Sequence, residues 1–188
     1  IPEEKIKCFG AAQFEIYKQN SSLTKEQLKD KFQVPHSKKY ILYAGVGESY
    51  RETKYLTLLE EAIISNYLEN CHVIYRPHPW RGKLQEEEKN FFDLDFKHIT
   101  MDPHMVQYYK NEIKKPSRIF FMIDYKITRD LLQLVDGVVS PRSTVLLEGM
   151  LMGKSPFVIF PEEDENIIWS KENIHFKTFC DLPNVVTC

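Results

Sequence analysis

Four short apolar runs, each halted by glycine, proline or a polar residue, limit the folds open to this chain more than any other feature: Tyr40-Ile41-Leu42-Tyr43-Ala44, His72-Val73-Ile74-Tyr75, Gly137-Val138-Val139 and Phe157-Val158-Ile159-Phe160. Such runs suit strands buried on both faces, as in a parallel sheet. Phe96 to Thr100 reads as a further short strand, and Asn184 to Cys188 as another. The intervening segments carry a helical period. Tyr55, Leu58, Leu59, Ala62, Ile63 and Tyr67 form one apolar stripe and predict a helix from about Glu52 to Glu69. Tyr125 to Val135 and Ser143 to Met152 read as helices, with Gly153 as C-cap of the second, and Thr24 with Gln27 forms a capping box for a charged helix over Ser22 to Phe32. Strand, helix and strand joined by short connections require right-handed parallel crossovers. The expected fold is therefore α/β, a Rossmann-like three-layer domain with a mostly parallel sheet.

With 188 residues, 43% of them apolar, the chain suffices for one such domain and is short for two. Residues 40–188 are expected to form it, with an insertion around 103–123 that holds a helix near Met105 to Ile113 and the apolar Ile119-Phe120-Phe121-Met122. Residues 1–39 read as a lead-in segment from a missing N-terminal domain, Lys7 to Tyr17 being a short strand and turn. The first residue is not methionine and the last ones read as a strand, the pattern of an excised domain. Gly82 to Asn90, rich in Glu and Lys, reads as a solvated helix or loop. A net charge of -2 leaves no cation excess for binding nucleic acid. Cys8, Cys71, Cys180 and Cys188 lie too far apart for zinc-site or disulfide spacing, which points to reduced thiols in a cytoplasmic setting. No apolar run approaches the roughly 20 residues of a spanning helix, and the N-terminus lacks a signal-peptide layout.

In an open parallel sheet, ligands bind beyond the carboxyl ends of the strands. Three loops there carry unusual residues: Gly45-Val46-Gly47, Arg76-Pro77-His78-Pro79 and Ser140-Pro141-Arg142-Ser143-Thr144. The third runs straight into a helix, whose first amides lack intrahelical partners and whose dipole favours an anion. Ser143 and Thr144 add hydroxyl donors there, and Arg142 adds a guanidinium fork suited to phosphate oxygens. A diphosphate fits this arrangement without a metal. Glu148, one turn beyond Thr144, is placed to accept the hydroxyls of a ribose. His78 is held between two prolines, in a stiff segment where an imidazole can donate to a phosphate and, when protonated, stabilise a leaving diphosphate. The other histidines, His36, His72, His98, His104 and His175, read as structural or exposed. Gly45 and Gly47 let the first loop approach a ligand closely.

The pairing of Tyr75-Arg76-Pro77-His78-Pro79 with Ser140-Pro141-Arg142-Ser143-Thr144-Val145-Leu146-Leu147-Glu148-Gly149 resembles the C-terminal, donor-binding domain of GT-B glycosyltransferases. It is similar in particular to the CDP-glycerol glycerophosphotransferase and HP-motif sialyltransferase groups of bacterial surface-polysaccharide enzymes. Gly10-Ala11-Ala12-Gln13-Phe14-Glu15 is similar to the G-x-P-Q-F-D stretch that leads into that domain, with Ala12 in place of the proline. Arg142 stands where several of these groups have serine or tyrosine. The resemblance implies one half of a GT-B fold and transfer from a CMP-, CDP- or UDP-linked donor without metal or cofactor. It further implies that His78, Ser143 and Thr144 hold the donor phosphates and Glu148 the ribose, with Gly45, Gly47, Arg76, Ser140 and Arg142 completing the donor site. The general base and acceptor site belong to the missing N-terminal half, so the fragment alone is expected to be inactive. Membrane-associated assembly machinery at the inner face of the membrane is the expected setting. Two other readings stay open: a nucleotide-sugar epimerase of the same fold, and a non-catalytic receiver or scaffold domain. A receiver needs carboxylates at the strand ends, and Tyr40 to Gly45 ends with none.

Overall fold

The computed structural model of the chain describes residues 12–36, 38–46, 52–79, 94–114, 124–141, 143–159 and 174–187. Gly82 to Asn90, Ile119 to Met122 and Phe160 lie outside them. Six strands, β1 (Lys39–Ala44), β2 (Cys71–Arg76), β3 (Ile99–Met101), β4 (Gly137–Ser140), β5 (Ser155–Val158) and β6 (Val186–Thr187), form one sheet in the order β3-β2-β1-β4-β5-β6. Every pairing is parallel, so the fold is α/β and Rossmann-like. In this order the chain leaves β1 toward one edge and returns to the other side of β1 with β4, which makes the β1–β4 seam the topological switch point.

Alternation along the strands explains the two cores. Tyr40, Leu42 and Ala44 face one side with Ile74, Val138 and Val158, under helices α1 (Lys25–Phe32), α4 (Tyr125–Leu134) and α5 (Thr144–Leu151). Tyr43, Val73, Tyr75 and Val139 face the other side with Leu56 and Met105 from helices α2 (Glu52–Ile64) and α3 (Pro103–Lys114). A last helix, α6 (Ile174–Cys180), precedes β6. Among the described residues, no helix is long and apolar enough to cross a membrane. The capping box of α1 is present, with Gln27 N–H donating to Thr24 and Thr24 N–H donating to Gln27.

Two local expectations are corrected. Ala12–Lys18 is a 3-10 helix rather than part of a strand. It lies against α4 and α5, where Tyr17 is buried. Helix α2 stops at Ile64 rather than Glu69. Asn66 and Asn70 there have φ of 63° and 57°, and asparagine tolerates this left-handed backbone better than most residues. The stripe is also turned: Glu52, Leu56, Glu60 and Ile63 are buried, while Tyr67 is 85% exposed. Glu60 goes inside because Lys97 N–H and His98 N–H donate to its carboxylate, so the buried face is partly polar and hydrophobicity alone misplaces it.

Helix α5 sits unusually close to the sheet. A Cβ on Gly149 would lie 2.8 Å from Val138 Cγ2, and Val138 is anchored in a central strand. In Gly149→Ala the helix gains about 1 kcal/mol of propensity but meets an overpacking cost of about 1–3 kcal/mol. The expected outcome is a net loss of stability, measured by urea denaturation, that Val138→Ala partly reverses in the double variant.

His72 supplies a pH dependence. It is 2% exposed, with Nε2 2.8 Å from Thr100 Oγ1. Burial, reinforced by repulsion from Lys38 and His98, lowers its pKa to about 4. The unfolded chain, with a histidine near 6.5, takes up this proton first as pH falls. The contribution of neutral His72 is thus complete above about pH 6.5 and is lost as pH drops toward 4. A Tm series across this window should fall less steeply for His72→Gln than for the wild type.

Candidate functional site

At the C-terminal end of the switch-point seam lies a cavity of about 220 Å³, lined by residues from the ends of β1 and β2 and from helices α4 and α5 with the Ser143 cap. Gly45, Arg76, His78, Ser143, Thr144 and Glu148 all line it. One chamber therefore joins the proline-flanked imidazole to the start of α5. Of the other residues singled out in the sequence, Gly47 and Arg142 lie outside the described residues, and Ser140 is placed elsewhere. Ser140 is fully buried, and its hydroxyl donates to the Ala44 carbonyl at 2.7 Å. It staples β4 to β1 behind the cavity, a structural duty in place of the ligand contact expected of it.

The first loop is shaped by a carboxylate that folds back beneath it. Glu52, the first residue of α2, is 2% exposed. Its carboxylate accepts from Val46 N–H at 2.8 Å and from the Tyr75 hydroxyl at 2.5 Å. Gly45 N–H donates to the Arg76 carbonyl at 2.9 Å. Both loop amides are thus engaged, and Gly45 gives the cavity a bare wall rather than a donor. A Cβ on Gly45 would come within 2.6 and 2.7 Å of the Glu52 oxygens.

Arg76 ends β2, and the following prolines, without N–H groups, stop the ladder and turn His78 toward the cavity. Arg76 Nε lies 3.7 Å from Asp102 Oδ2, too long for a hydrogen bond. Arg76 Nη1 and Asp102 Oδ2 are both buried without a hydrogen-bond partner among the described residues. Asp102 is fully buried, and its Oδ1 accepts from His104 N–H at 3.0 Å, capping the start of α3. The guanidinium is thereby kept charge-compensated at the cavity wall with donor capacity in hand.

On the other side, Ser143 is the N-cap of α5: its hydroxyl oxygen accepts from Val145 N–H at 3.3 Å and its carbonyl from Leu146 N–H at 3.1 Å. Two amides that an anion was expected to use are therefore satisfied internally. The helix dipole and the exposed Thr144 hydroxyl remain for a ligand. Glu148, expected from the sequence to accept the hydroxyls of a ribose, is 4% exposed and lines the cavity. Its Oε2 accepts from the Tyr17 hydroxyl at 2.5 Å. Burial, followed by the bond to Glu148, raises the Tyr17 pKa, with Arg76 acting in the opposite direction.

Sequence reasoning missed Tyr17, Glu52, Asp102 and Thr128. Asp102-Pro103 carried a usable signal, a capping aspartate with proline at the first helical position directly after a strand. Thr128, 1% exposed, brings α4 to the cavity wall, and nothing in its helical neighbourhood distinguishes it.

No protein-family model and no curated protein matches the chain. Among solved structures it is similar to KpsC of Thermosulfurimonas dismutans, a beta Kdo 2,4 transferase, with a TM-score of 0.38 and 11% identity. The match covers 80% of this chain and 50% of that one, so the chain spans about half the length of that structure.

Gly45→Ala would drive the new methyl into the Glu52 carboxylate and break its bonds to Val46 and Tyr75. The loss expected in chemical denaturation is about 1–3 kcal/mol, and Gly45→Ala combined with Glu52→Ala should recover part of it.

Proposed function

We propose that the cavity holds a nucleotide-activated donor, a nucleotide sugar or CDP-alditol, and that the chain is the donor-binding half of a metal-independent GT-B-type glycosyltransferase of bacterial surface-polysaccharide synthesis. The observation that carries this reading is the meeting of Arg76, His78, Thr144 and Glu148 in one cavity at the switch point of a parallel sheet. Among the described residues, the wall offers cationic and dipolar groups beside a single carboxylate, a combination that suits a ligand with phosphate at one end and hydroxyl donors at the other.

In this reading the diphosphate sits between the guanidinium of Arg76 and the start of α5, with the Thr144 hydroxyl donating to it. His78, as an imidazolium, donates to the phosphate oxygen that gains charge as the glycosyl or glycerol phosphate bond breaks. Glu148 accepts the ribose hydroxyls. The acceptor and general base come from another domain, and the donor partner is bound here without completing transfer.

Calorimetric titration with CMP, CDP, UMP and UDP tests the proposal. At least one diphosphate should bind below millimolar, and Arg76→Ala and His78→Ala should each weaken it about 10-fold or more, the scale of one charge-assisted hydrogen bond. Cytidine and uridine, lacking phosphate, should show no such response. Failure of all four nucleotides to bind, or binding indifferent to His78→Ala, would sink the reading.

A further inference from the structure

The carboxylate that lines the cavity is held from behind by a residue 131 positions away in the sequence. Tyr17, in the last turn of the 3-10 helix Ala12–Lys18, is not part of the cavity wall, yet its hydroxyl reaches Glu148 Oε2 at 2.5 Å. Both residues are buried, at 5% and 4% exposure. A phenol has one proton to give, so Glu148 is the acceptor in this bond, and a carboxylate keeps further lone pairs for other donors. The segment around Tyr17 is itself fixed: Phe14 stacks obliquely on Tyr17 with ring centroids 6.3 Å apart, and Ser21 N–H donates to Gln133 Oε1 on α4 at 2.5 Å. Tyr17 thus acts from a rigid support.

We propose that Tyr17 is a positioning residue, fixing the Glu148 carboxylate toward the vicinal hydroxyls of the ribose, so that recognition of the diol depends on the segment Ala12–Lys18. The proposal rests on the nucleotide reading above. Arg76, His78 and the start of α5 face the phosphate, whereas Glu148 faces the sugar of the nucleoside. Without the phenol, Glu148 is a buried carboxylate short of a donor, and it relaxes by rotating or by drawing in water. The damage then falls on the diol and leaves the phosphate contacts in place.

The test compares CDP and UDP with their 2′,3′-dideoxy counterparts by calorimetry, on the wild type and on Tyr17→Phe. The wild type should favour the ribose form by about 10-fold or more; Tyr17→Phe should lose most of this preference while the dideoxy affinity stays within about twofold. A preference that survives in Tyr17→Phe, or an equal fall for both ligands, overturns the proposal. Failure of the wild type to bind either ribonucleotide overturns the nucleotide reading first and this one with it. A second measurement needs no variant to fold: the assigned 13Cζ resonance of Tyr17 in the wild type should shift on adding CDP and stay in place with dideoxy-CDP. Equal shifts, or no shift with CDP bound, overturn it as well.

Discussion

Three carboxylates buried around the C-terminal ends of the strands, Glu52, Asp102 and Glu148, impose the constraint from which the rest of the site follows. A carboxylate removed from water without partners costs several kcal/mol or neutralises itself. Each of these has found a different remedy. Glu52 takes the Val46 amide and the Tyr75 phenol, Asp102 takes the His104 amide and stands near Arg76, and Glu148 takes the Tyr17 phenol. Those partners belong to the first loop, the end of β2, the start of α3 and the segment before α1. Satisfying three charges therefore fixes the relative placement of nearly every piece of chain that surrounds the cavity.

This explains which parts of the architecture were legible in the residues. A strand buried on both faces has to be apolar throughout, and Tyr40 to Ala44 and Gly137 to Val139 announce themselves on that ground alone. Helix α5 was equally plain, since a serine cap, a short apolar body and a glycine at positive φ after it bound it at both ends. Helix α2 was misjudged because periodicity weighs apolar side chains only. Its buried face carries Glu52 and Glu60, whose partners come from elements that no local window contains. The 3-10 helix over Ala12–Lys18 was misread for a related reason: a short segment takes its shape from the helices it lies on.

The site divides along the same line. That His78, Ser143, Thr144 and Glu148 share one cavity could be anticipated, because two prolines or a strand-to-helix junction beside them in sequence already restrict where they lie. Ser140 sat in the same junction and was misjudged, its hydroxyl being claimed by Ala44 across the seam. The sequence disfavours the receiver alternative because β1 ends without a carboxylate. Glu52 nonetheless arrives beneath that end from α2, fully engaged with Val46 and Tyr75. What escapes sequence reasoning is consistently the partner, a residue made important by another residue far along the chain.

The order of strands carries a consequence for how the protein comes into being. β1 is central, and its neighbour β4 reaches it only after a loop that separates Ala44 from Ser140 by 96 residues. Closing loops of that length precedes any reward from the contacts they bring, which slows folding relative to proteins built from local pairings. During synthesis on the ribosome, the apolar edge of β1 that faces β4 has no native partner until the chain past residue 140 has emerged. A strand from the middle of the finished sheet thus waits long for its second neighbour in the nascent chain, and the stretch Tyr40 to Ala44 is where a chaperone would be expected to engage it.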